Sequence, residues 1–301
     1  MWLLFALASY TIFASVTITD KYLLSRSIPD ARVYAFYTGI LGLFAFVFAP
    51  LGFKIPSITT MALGIFAGAL LIAAMFLFFC ALRRGEASRV LVAWGGTVPI
   101  FTLLFVYIST KELPTGFEFL ALALLIVGSV TILFEGWKKT FQDMKSFFII
   151  LLSSFLLSAY FTVAKFLFAS EPFLNAFLWI KIGGVLFALL FLISPEVRRL
   201  IIQHKKSSSK KPGGIFVLKN GSGGVAALLQ AFAVSKASFA EVAIVNALQG
   251  VQFAIVFFAA LFLTKKFPGI VKERIDRTVI IVKIAGTGLV IAGVALLAIT
   301  R

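Results

Sequence analysis

The chain has 301 residues, of which 61% are hydrophobic and only 13% are charged, and its mean hydropathy is +1.06. Soluble domains carry about 25% charged residues, so the composition excludes a soluble globular protein. The net charge of +16 would indicate nucleic-acid binding in a soluble protein, but here the basic residues collect between apolar runs, as in membrane-protein loops.

The hydropathy pattern predicts an all-α polytopic membrane protein. An apolar run of about 20 residues is long enough to cross a hydrocarbon core of about 30 Å, and such runs recur along the whole chain. We predict ten transmembrane helices, over residues 2–19, 33–52, 58–82, 90–109, 114–135, 147–167, 174–194, 215–234, 240–263 and 278–299.

The loop charges predict the orientation of these helices. Most of the 28 Lys and Arg residues fall in loops one, three, five, seven and nine, and basic loops face the cytoplasm. We therefore expect these loops in the cytoplasm and both termini outside it. Loop seven, residues 196–214, is rich in Lys and Ser and is predicted to be flexible and solvated, with attraction to anionic lipid headgroups as the alternative.

One stretch of the sequence occurs twice. Residues Ala81–Ser88 read ALRRGEAS, and residues Ala231–Ser238 read AFAVSKAS. Each copy is followed by a long apolar run and then by a Thr-Lys turn that ends at Pro114 or Pro268. A recurrence at about half the chain length indicates a duplicated architecture.

The duplication extends to the first helix of each half. Lys21-Tyr-Leu-Leu ends the first predicted helix, and Lys165-Phe-Leu-Phe ends the sixth. Each half then holds five helices, and an odd number of helices inverts the second half in the membrane. We predict two inverted five-helix repeats, residues 1–139 and 146–301. Many secondary carriers are built in this way, with the substrate bound near the midplane between the repeats.

The ninth predicted helix carries the densest row of polar residues. Asn246, Gln249 and Gln252 are three residues apart, so they follow one side of a helix. They are candidates for one wall of a substrate cavity, with the backbone loosened beside Gln249 at Gly250. The alternative is that they form interhelical hydrogen bonds, each worth about 0.6 kcal/mol.

The fourth predicted helix supplies the opposite wall. Trp94 and Thr97 are candidate binding residues, and Gly95, Gly96 and Pro99 beside them weaken the helical hydrogen-bond ladder. Interrupted helices in corresponding positions of two halves are typical of a carrier's binding site. The alternative is a kink that serves packing alone.

Two charged residues and four further polar or aromatic ones complete the candidate site. Glu241 is the candidate for proton exchange, with a capping or solvated role as the alternative, and no proton coupling is required by the sequence. Lys181 either pairs with an anionic substrate or extends its ammonium to the membrane surface. The remaining candidate lining residues are Tyr10, Tyr37, Trp179 and Gln230.

Residue counts argue against catalysis and against a metal or cofactor. The chain has one histidine and one cysteine, too few for a His- or Cys-rich metal site. Its four aspartates, Asp20, Asp30, Asp143 and Asp276, are far apart and lie in or beside loops, whereas acid–base chemistry needs clustered groups. We predict no cofactor, no nucleic-acid partner and no enzymatic activity.

The order of these motifs resembles that of the EamA-type, ten-helix branch of the drug/metabolite transporter superfamily. The residues that carry the resemblance are Ala81–Ser88, Pro99-Ile-Phe-Thr102, Thr110–Pro114 and Ile126-Val-Gly-Ser-Val130. The stretch Ala231–Pro268 is their second occurrence in the chain. The resemblance implies two inverted repeats around a central cavity lined by helices one to four and six to nine. It also implies movement, often outward, of small polar or amphipathic metabolites.

The sequence departs from that family in two respects. Its loop charges place both termini outside the cytoplasm, where well-known relatives have them inside. Its first helix lacks the interior glutamate of the small proton-coupled relatives. We expect a secondary transporter of a small metabolite, amino-acid-like or otherwise polar or amphipathic, in an inner or plasma membrane, as a monomer or a homodimer. The alternative is a flippase or an embedded enzyme for a lipid-linked substrate.

Overall fold

The computed structural model of the protein describes residues 1–24, 30–84, 87–132, 144–207, 213–266 and 277–299. Almost all of these residues are helical, and no strand occurs among them. The helices are α1 (Trp2–Leu24), α2 (Ala31–Ile40), α3 (Ile58–Arg84), α4 (Ala87–Thr110), α5 (Gly116–Ile132), α6 (Met144–Ser170), α7 (Phe173–Leu190), α8 (Pro195–Ser207), α9 (Gly213–Lys236), α10 (Glu241–Ala247), α11 (Gln249–Lys266) and α12 (Arg277–Ile299).

Each of the ten predicted spans coincides with a helix or a pair of consecutive helices. Seven helical segments in the described part of the chain are long and apolar enough to cross a membrane, and two shorter apolar helices lie over Trp2–Thr17 and Gly116–Ile132. The all-α polytopic membrane fold is thereby confirmed. The predicted end of the first repeat, residue 139, lies outside the described residues.

Three predicted spans differ in detail from the structure. The second continues α2 as a 3₁₀ segment, Leu41–Leu51, which includes Pro50. The ninth is divided at Leu248, between α10 and α11. The fourth, α4, runs unbroken through Pro99, so the predicted interruption there was wrong. Gly95 and Gly96 serve packing instead, since a Cβ on Gly95 would lie 2.6 Å from the ring of Phe253.

The prediction for loop seven was also wrong over residues 196–207, which belong to the helix α8 (Pro195–Ser207). Pro195 suits the first position of a helix, and Glu196 in the first turn favours the positive end of the helix dipole. Val197 is fully buried while Ile202 is 60% exposed. Composition alone concealed this amphipathic helix, because its basic C-terminal end dominates the residue count. Residues 208–212 lie outside the described part.

Glycines bring two pairs of helices into backbone contact. On α3 and α7, a Cβ on Gly68 would collide with the carbonyl oxygen of Ile180, and one on Gly183 with the backbone of Ile65. On α5 and α12, a Cβ on Gly286 would lie 2.8 Å from the backbone nitrogen of Ile132. Small residues permit such approaches between membrane helices, where van der Waals packing drives association.

Two hydrogen bonds repeat the same pattern in the two halves of the chain. Ser9 in α1 donates to the carbonyl of Ala226 in α9, and Ser153 in α6 donates to the carbonyl of Ala74 in α3, both at 2.8 Å. Ser9 and Ser153 lie equally far before Lys21 and Lys165, the lysines that the duplication aligns. The first membrane-spanning helix of each half, α1 or α6, therefore packs against the third one of the other half, α9 or α3.

A candidate polar centre between the two halves

Two candidate residues from opposite ends of the sequence meet at the contact of α1 with α9. The side-chain amide of Gln230 donates to the hydroxyl of Tyr10 at 2.9 Å, and Tyr10 is only 3% exposed. Ser9 holds the same two helices together one position earlier. The pair is therefore a partly buried hydrogen bond within the helix bundle, and both side chains lie where the first and second halves join.

The row on the ninth predicted span reaches two different neighbours. Asn246 in α10 donates to the hydroxyl of Thr102 in α4 at 3.1 Å, and Gln252 in α11 donates to the hydroxyl of Thr17 in α1 at 2.9 Å. Gln249, between them, is partly buried at the first position of α11. The break at Leu248 turns the row, so its members contact both α4 and α1.

Close packing of neighbouring helices explains why a glycine occupies position 250. A Cβ there would collide with the hydroxyl of Ser129 in α5 and would lie 3.0 Å from Val290 in α12. The predicted loosening beside Gln249 therefore lies two residues earlier, at Leu248, whose N–H still reaches the carbonyls of Asn246 and Ile244.

Trp94 and Thr97 in α4 contact different neighbouring helices. The indole of Trp94 is stacked on Phe78 of α3, with 4.0 Å between ring centroids and an interplanar angle of 26°. The hydroxyl of Thr97 lies 2.6 Å from the carbonyl of Ala93 and 2.7 Å from the hydroxyl of Ser154 in α6. Thr97 thus bridges α4 to the second half, whereas Trp94 packs within the first half.

Two buried polar atoms in this region have no hydrogen-bond partner among the described residues. They are the indole nitrogen Nε1 of Trp94, a donor, and the oxygen Oδ1 of Asn246, an acceptor. Their side chains are 8% and 2% exposed. Buried polar groups are nearly always paired, and leaving one unpaired costs about 1–3 kcal/mol. A bound molecule with complementary groups would remove that cost.

Two other candidates lie away from this centre. The indole N–H of Trp179 donates to the carbonyl of Lys54 at 3.1 Å, and its ring stacks on Phe53. Tyr37 contacts Phe36 edge-on within a separate apolar cluster of α2, α3 and α7. Trp179 therefore clamps the loop before α3, and Tyr37 packs at the side of the bundle.

Glu241 begins α10 in a reciprocal cap. Its carboxylate accepts from the backbone N–H of Ser238 at 2.6 Å, and its own N–H donates to the Ser238 hydroxyl at 3.3 Å. This is the capping-box arrangement, and it corresponds to the capping role that the sequence left open. Glu118 and Thr115 form the same arrangement at the start of α5.

Sequence reasoning missed several residues that connect the helices. Ser158 in α6 donates to the carbonyl of Val98 in α4 at 2.9 Å. Lys165 is 6% exposed and donates to the carbonyls of Ser235 and Ala237, where a cation suits the negative end of α9. The spacing from Lys21 and Lys165 was a usable signal for Ser9 and Ser153. A single Ser in an apolar helix gives no such signal.

A network of charges joins three helices at the basic-loop side. The guanidinium of Arg32 contacts the carboxylates of Asp30 at 2.8 Å and Glu196 at 2.9 Å, and Arg83 lies 3.9 Å from Asp30. The hydrogen bond from Arg32 holds the pKa of the Asp30 carboxyl below its ordinary value of 3.8. The start of α2 is thereby connected to α3 and α8. No group of three or more His, Cys, Asp or Glu able to hold a metal occurs in the described ranges.

Residues 1–134 match the sequence model of the EamA-like transporter family. The resemblance to EamA-type transporters is thereby confirmed. The match indicates a membrane transporter, and it covers residues 1–134, somewhat less than half of the 301-residue chain. None of the curated proteins matches the chain.

A crystal structure described only as that of a protein is similar to this chain along nearly its whole length. The two share 16% sequence identity with a TM-score of 0.66, and the alignment covers 98% of this chain and 96% of the other. At this identity the likeness shows the fold alone. It includes the second half, which the family match does not reach.

Proposed function

We propose that the protein is a secondary carrier that moves a small polar or amphipathic metabolite across the membrane by alternating access. The observation that carries this proposal is the pair of unpartnered buried atoms, Trp94 Nε1 and Asn246 Oδ1. One belongs to each half of the chain, in helices α4 and α10, which Asn246 and Thr102 join. A buried donor on one half and a buried acceptor on the other suit a solute that bears both kinds of group.

The arrangement of the two halves supports alternating access. In an inverted duplication α3 corresponds to α9, and α7 corresponds to α2. Gly68 and Gly183 bring α3 and α7 into backbone contact, whereas Gly221 and Gly224 in α9 have no atom within 4 Å of a built Cβ. We interpret this difference as one closed interface and one open counterpart. Exchange of the two arrangements would open the other side, as in carriers built from inverted repeats.

The repeat boundaries and the orientation belong to the same proposal. The matched hydrogen bonds of Ser9 and Ser153 support two repeats, over residues 1–139 and 146–301. The clustering of Lys and Arg supports placing the odd loops in the cytoplasm of an inner or plasma membrane. The open α9 face then lies toward the cytoplasm, because α9 begins at loop seven. Gln249, at the break in the ninth span, is the third residue that we place against the solute.

Thermal stabilisation of the purified protein by a broad metabolite panel tests the proposal. Trp94→Phe removes the indole N–H but keeps a ring against Phe78, and Gln249→Ala shortens a partly buried side chain. Trp179→Phe is the matched control, because its N–H is already bonded to Lys54. We expect a stabilising solute to lose its effect in the first two variants and keep it in the control.

Two outcomes would contradict this assignment. Stabilisation that persists unchanged in Trp94→Phe and Gln249→Ala would exclude these helices as the binding site. Stabilisation by lipid-linked molecules alone, with no soluble metabolite active, would replace the metabolite carrier with a flippase or an embedded enzyme for such substrates.

A further inference from the structure

Lys181 places a positive charge deep in an apolar helix. It lies eight residues after the start of α7 at Phe173, which at about 1.5 Å per residue is about 12 Å along the helix. The ion pairs in the described part of the chain join Arg32 and Arg83 to Asp30 and Glu196, and none includes Lys181. A charge at such depth needs a partner, water or a route to the surface, and is a functional candidate for that reason.

The ammonium group points toward the interior of the bundle. Its Nζ lies 4.8 Å from the ring centroid of Phe177, and Phe177 is only 4% exposed. The stem passes Gly42 in the 3₁₀ segment, where a built Cβ would lie 3.5 Å from Lys181 Cδ. The strongly exposed positions of α7, Leu186 and Leu190, lie on another side of the helix. A lysine extending through lipid would follow those positions instead.

We infer that the space beside Lys181 is a cleft between α7 and α9. At its far end the rings of Phe173 and Phe232 meet edge-on, 5.1 Å apart at 87°. Closer to the basic loops, Gly221 and Gly224 face open space and Val225 is 52% exposed. Helical spacing puts these α9 residues on one stripe with Phe232. The α7–α9 cleft is thus lined by Phe173, Phe177 and Lys181 on one side and by Gly221, Gly224, Val225 and Phe232 on the other.

The charge distribution favours an anion at this place. The cleft opens toward the side that carries most of the basic loop residues of a chain with net charge +16. Clefts lined by one sign of charge raise the local concentration of the opposite ion. An anion that reaches Lys181 would meet a charged donor beside apolar rings. Its apolar part would contact Phe177 and Phe232.

We propose that Lys181 binds the anionic group of an amphipathic solute, a carboxylate or a phosphate, whose apolar part lies in the α7–α9 cleft. The inference deepens the proposed carrier function and rests on it. A soluble metabolite and an anionic lipid headgroup present the same chemistry to the ammonium, and the experiment separates them.

The test compares matched acids and amides on the purified full chain. The first probes are 3-phenylpropionate and its neutral amide, followed by further acid–amide pairs, then phosphatidylglycerol against phosphatidylcholine. Binding is measured by thermal stabilisation in wild type, Lys181→Met, Lys181→Arg and Lys236→Met. Lys236 is the matched control, because its Nζ lies over Phe232 at 5.4 Å but the residue is exposed. Size-exclusion profiles and the melting temperature without ligand check that each variant is folded.

We expect at least one acid to stabilise the wild type and its amide to do so far more weakly. Lys181→Met is expected to raise the Kd for the acid about tenfold to a hundredfold, the range for losing a charged hydrogen bond. Lys181→Arg and Lys236→Met should largely retain binding. If phosphatidylglycerol alone stabilises through Lys181, the anion comes from a lipid.

Three results would overturn the inference. They are equal stabilisation by acid and amide, acid binding that Lys181→Met leaves unchanged, and no stabilisation by any acid or by phosphatidylglycerol. Neutral solutes that stabilise the protein through Trp94 would, in any of these cases, leave the carrier proposal standing. The two proposals therefore fail separately.

Discussion

The side-chain amide of Gln230 donates a 2.9 Å hydrogen bond to the hydroxyl of Tyr10 across the contact of α1 with α9. The Tyr10 hydroxyl is buried and Gln230 is half-buried, so the bond satisfies a polar group inside an apolar bundle. The bond joins the first and eighth predicted spans, which belong to different halves of the chain. It is one of several polar contacts that fix how the halves meet.

Removing either partner of this bond should weaken the fold by a measurable amount. We expect Tyr10→Phe and Gln230→Leu each to lower the free energy of unfolding, with a coupling energy of about 0.6 kcal/mol and at most about 1.7 kcal/mol. A double-mutant cycle by reversible unfolding in mixed micelles measures it. Additive effects of the two substitutions would show that the bond contributes nothing.

The serine bonds of the two halves offer a test of the duplication. Ser9→Ala and Ser153→Ala each remove a 2.8 Å bond to a carbonyl of the partner helix, so we expect similar losses of about 0.6 kcal/mol. The double variant should show their sum, because the two sites share no partner. A large loss in one variant and none in the other would mean that the two contacts are not equivalent.

Substitution by alanine is expected to destabilise the protein at one glycine and to leave its stability nearly unchanged at another. In Gly183→Ala the new Cβ meets the backbone of Ile65, and such overpacking costs about 1–3 kcal/mol. In Gly224→Ala the Cβ enters open space, so the unfolding free energy should change by less than about 0.5 kcal/mol. Thermal unfolding of the two variants measures this difference.

A larger side chain at the same position tests alternating access. Gly224→Leu should remain folded yet slow transport, because it fills the interface that alternating access must close. Undiminished transport would contradict that mechanism.

Glu241 permits a clear separation of capping from proton exchange. Glu241→Gln keeps an acceptor for the N–H of Ser238, so the cap should survive, whereas Glu241→Ala should lose about 0.5–2 kcal/mol of stability. Glu118→Ala is the control at an exposed cap of the same kind. If Glu241→Gln keeps its stability but loses the dependence of transport on a proton gradient, Glu241 is the coupling residue. An unchanged dependence would confine it to the cap.

The ion-pair network should make stability depend on pH through Asp30. Because its pKa is lowered from the ordinary value of 3.8 by the hydrogen bond from Arg32, the stability it contributes is fully present above that value. It is lost as the pH falls through the lowered pKa. We expect wild type to be more stable than Asp30→Asn at neutral pH and the two to converge in acid. A constant difference at all pH values would exclude this titration.

The sequence determined much of the fold because a bilayer imposes simple rules. Every backbone group in lipid must be paired within the protein, and a helix achieves this within a single segment, so the apolar runs were expected to form helical spans. The repeated ALRRGEAS-like stretch and Lys21 with Lys165 predicted two equivalent halves. The two repeats stay a prediction, which the paired serine bonds support. The capping alternative for Glu241 was also available from Ser238 three residues before it.

Only the tertiary structure decided which polar side chains meet and which helices stay unbroken. Hydropathy does not fix helix rotation, so nothing in the sequence separated Gln230, which contacts Tyr10, from Trp179, which binds the Lys54 carbonyl. A glycine in a membrane helix indicates either a break in that helix or a close approach of a neighbouring one. Which of the two occurs depends on the residues of the neighbouring helix that face the glycine. Opposite Gly95 lies Phe253, and α4 continues unbroken, whereas the ninth span breaks at Leu248. These outcomes follow from contacts between distant segments, which local sequence does not encode.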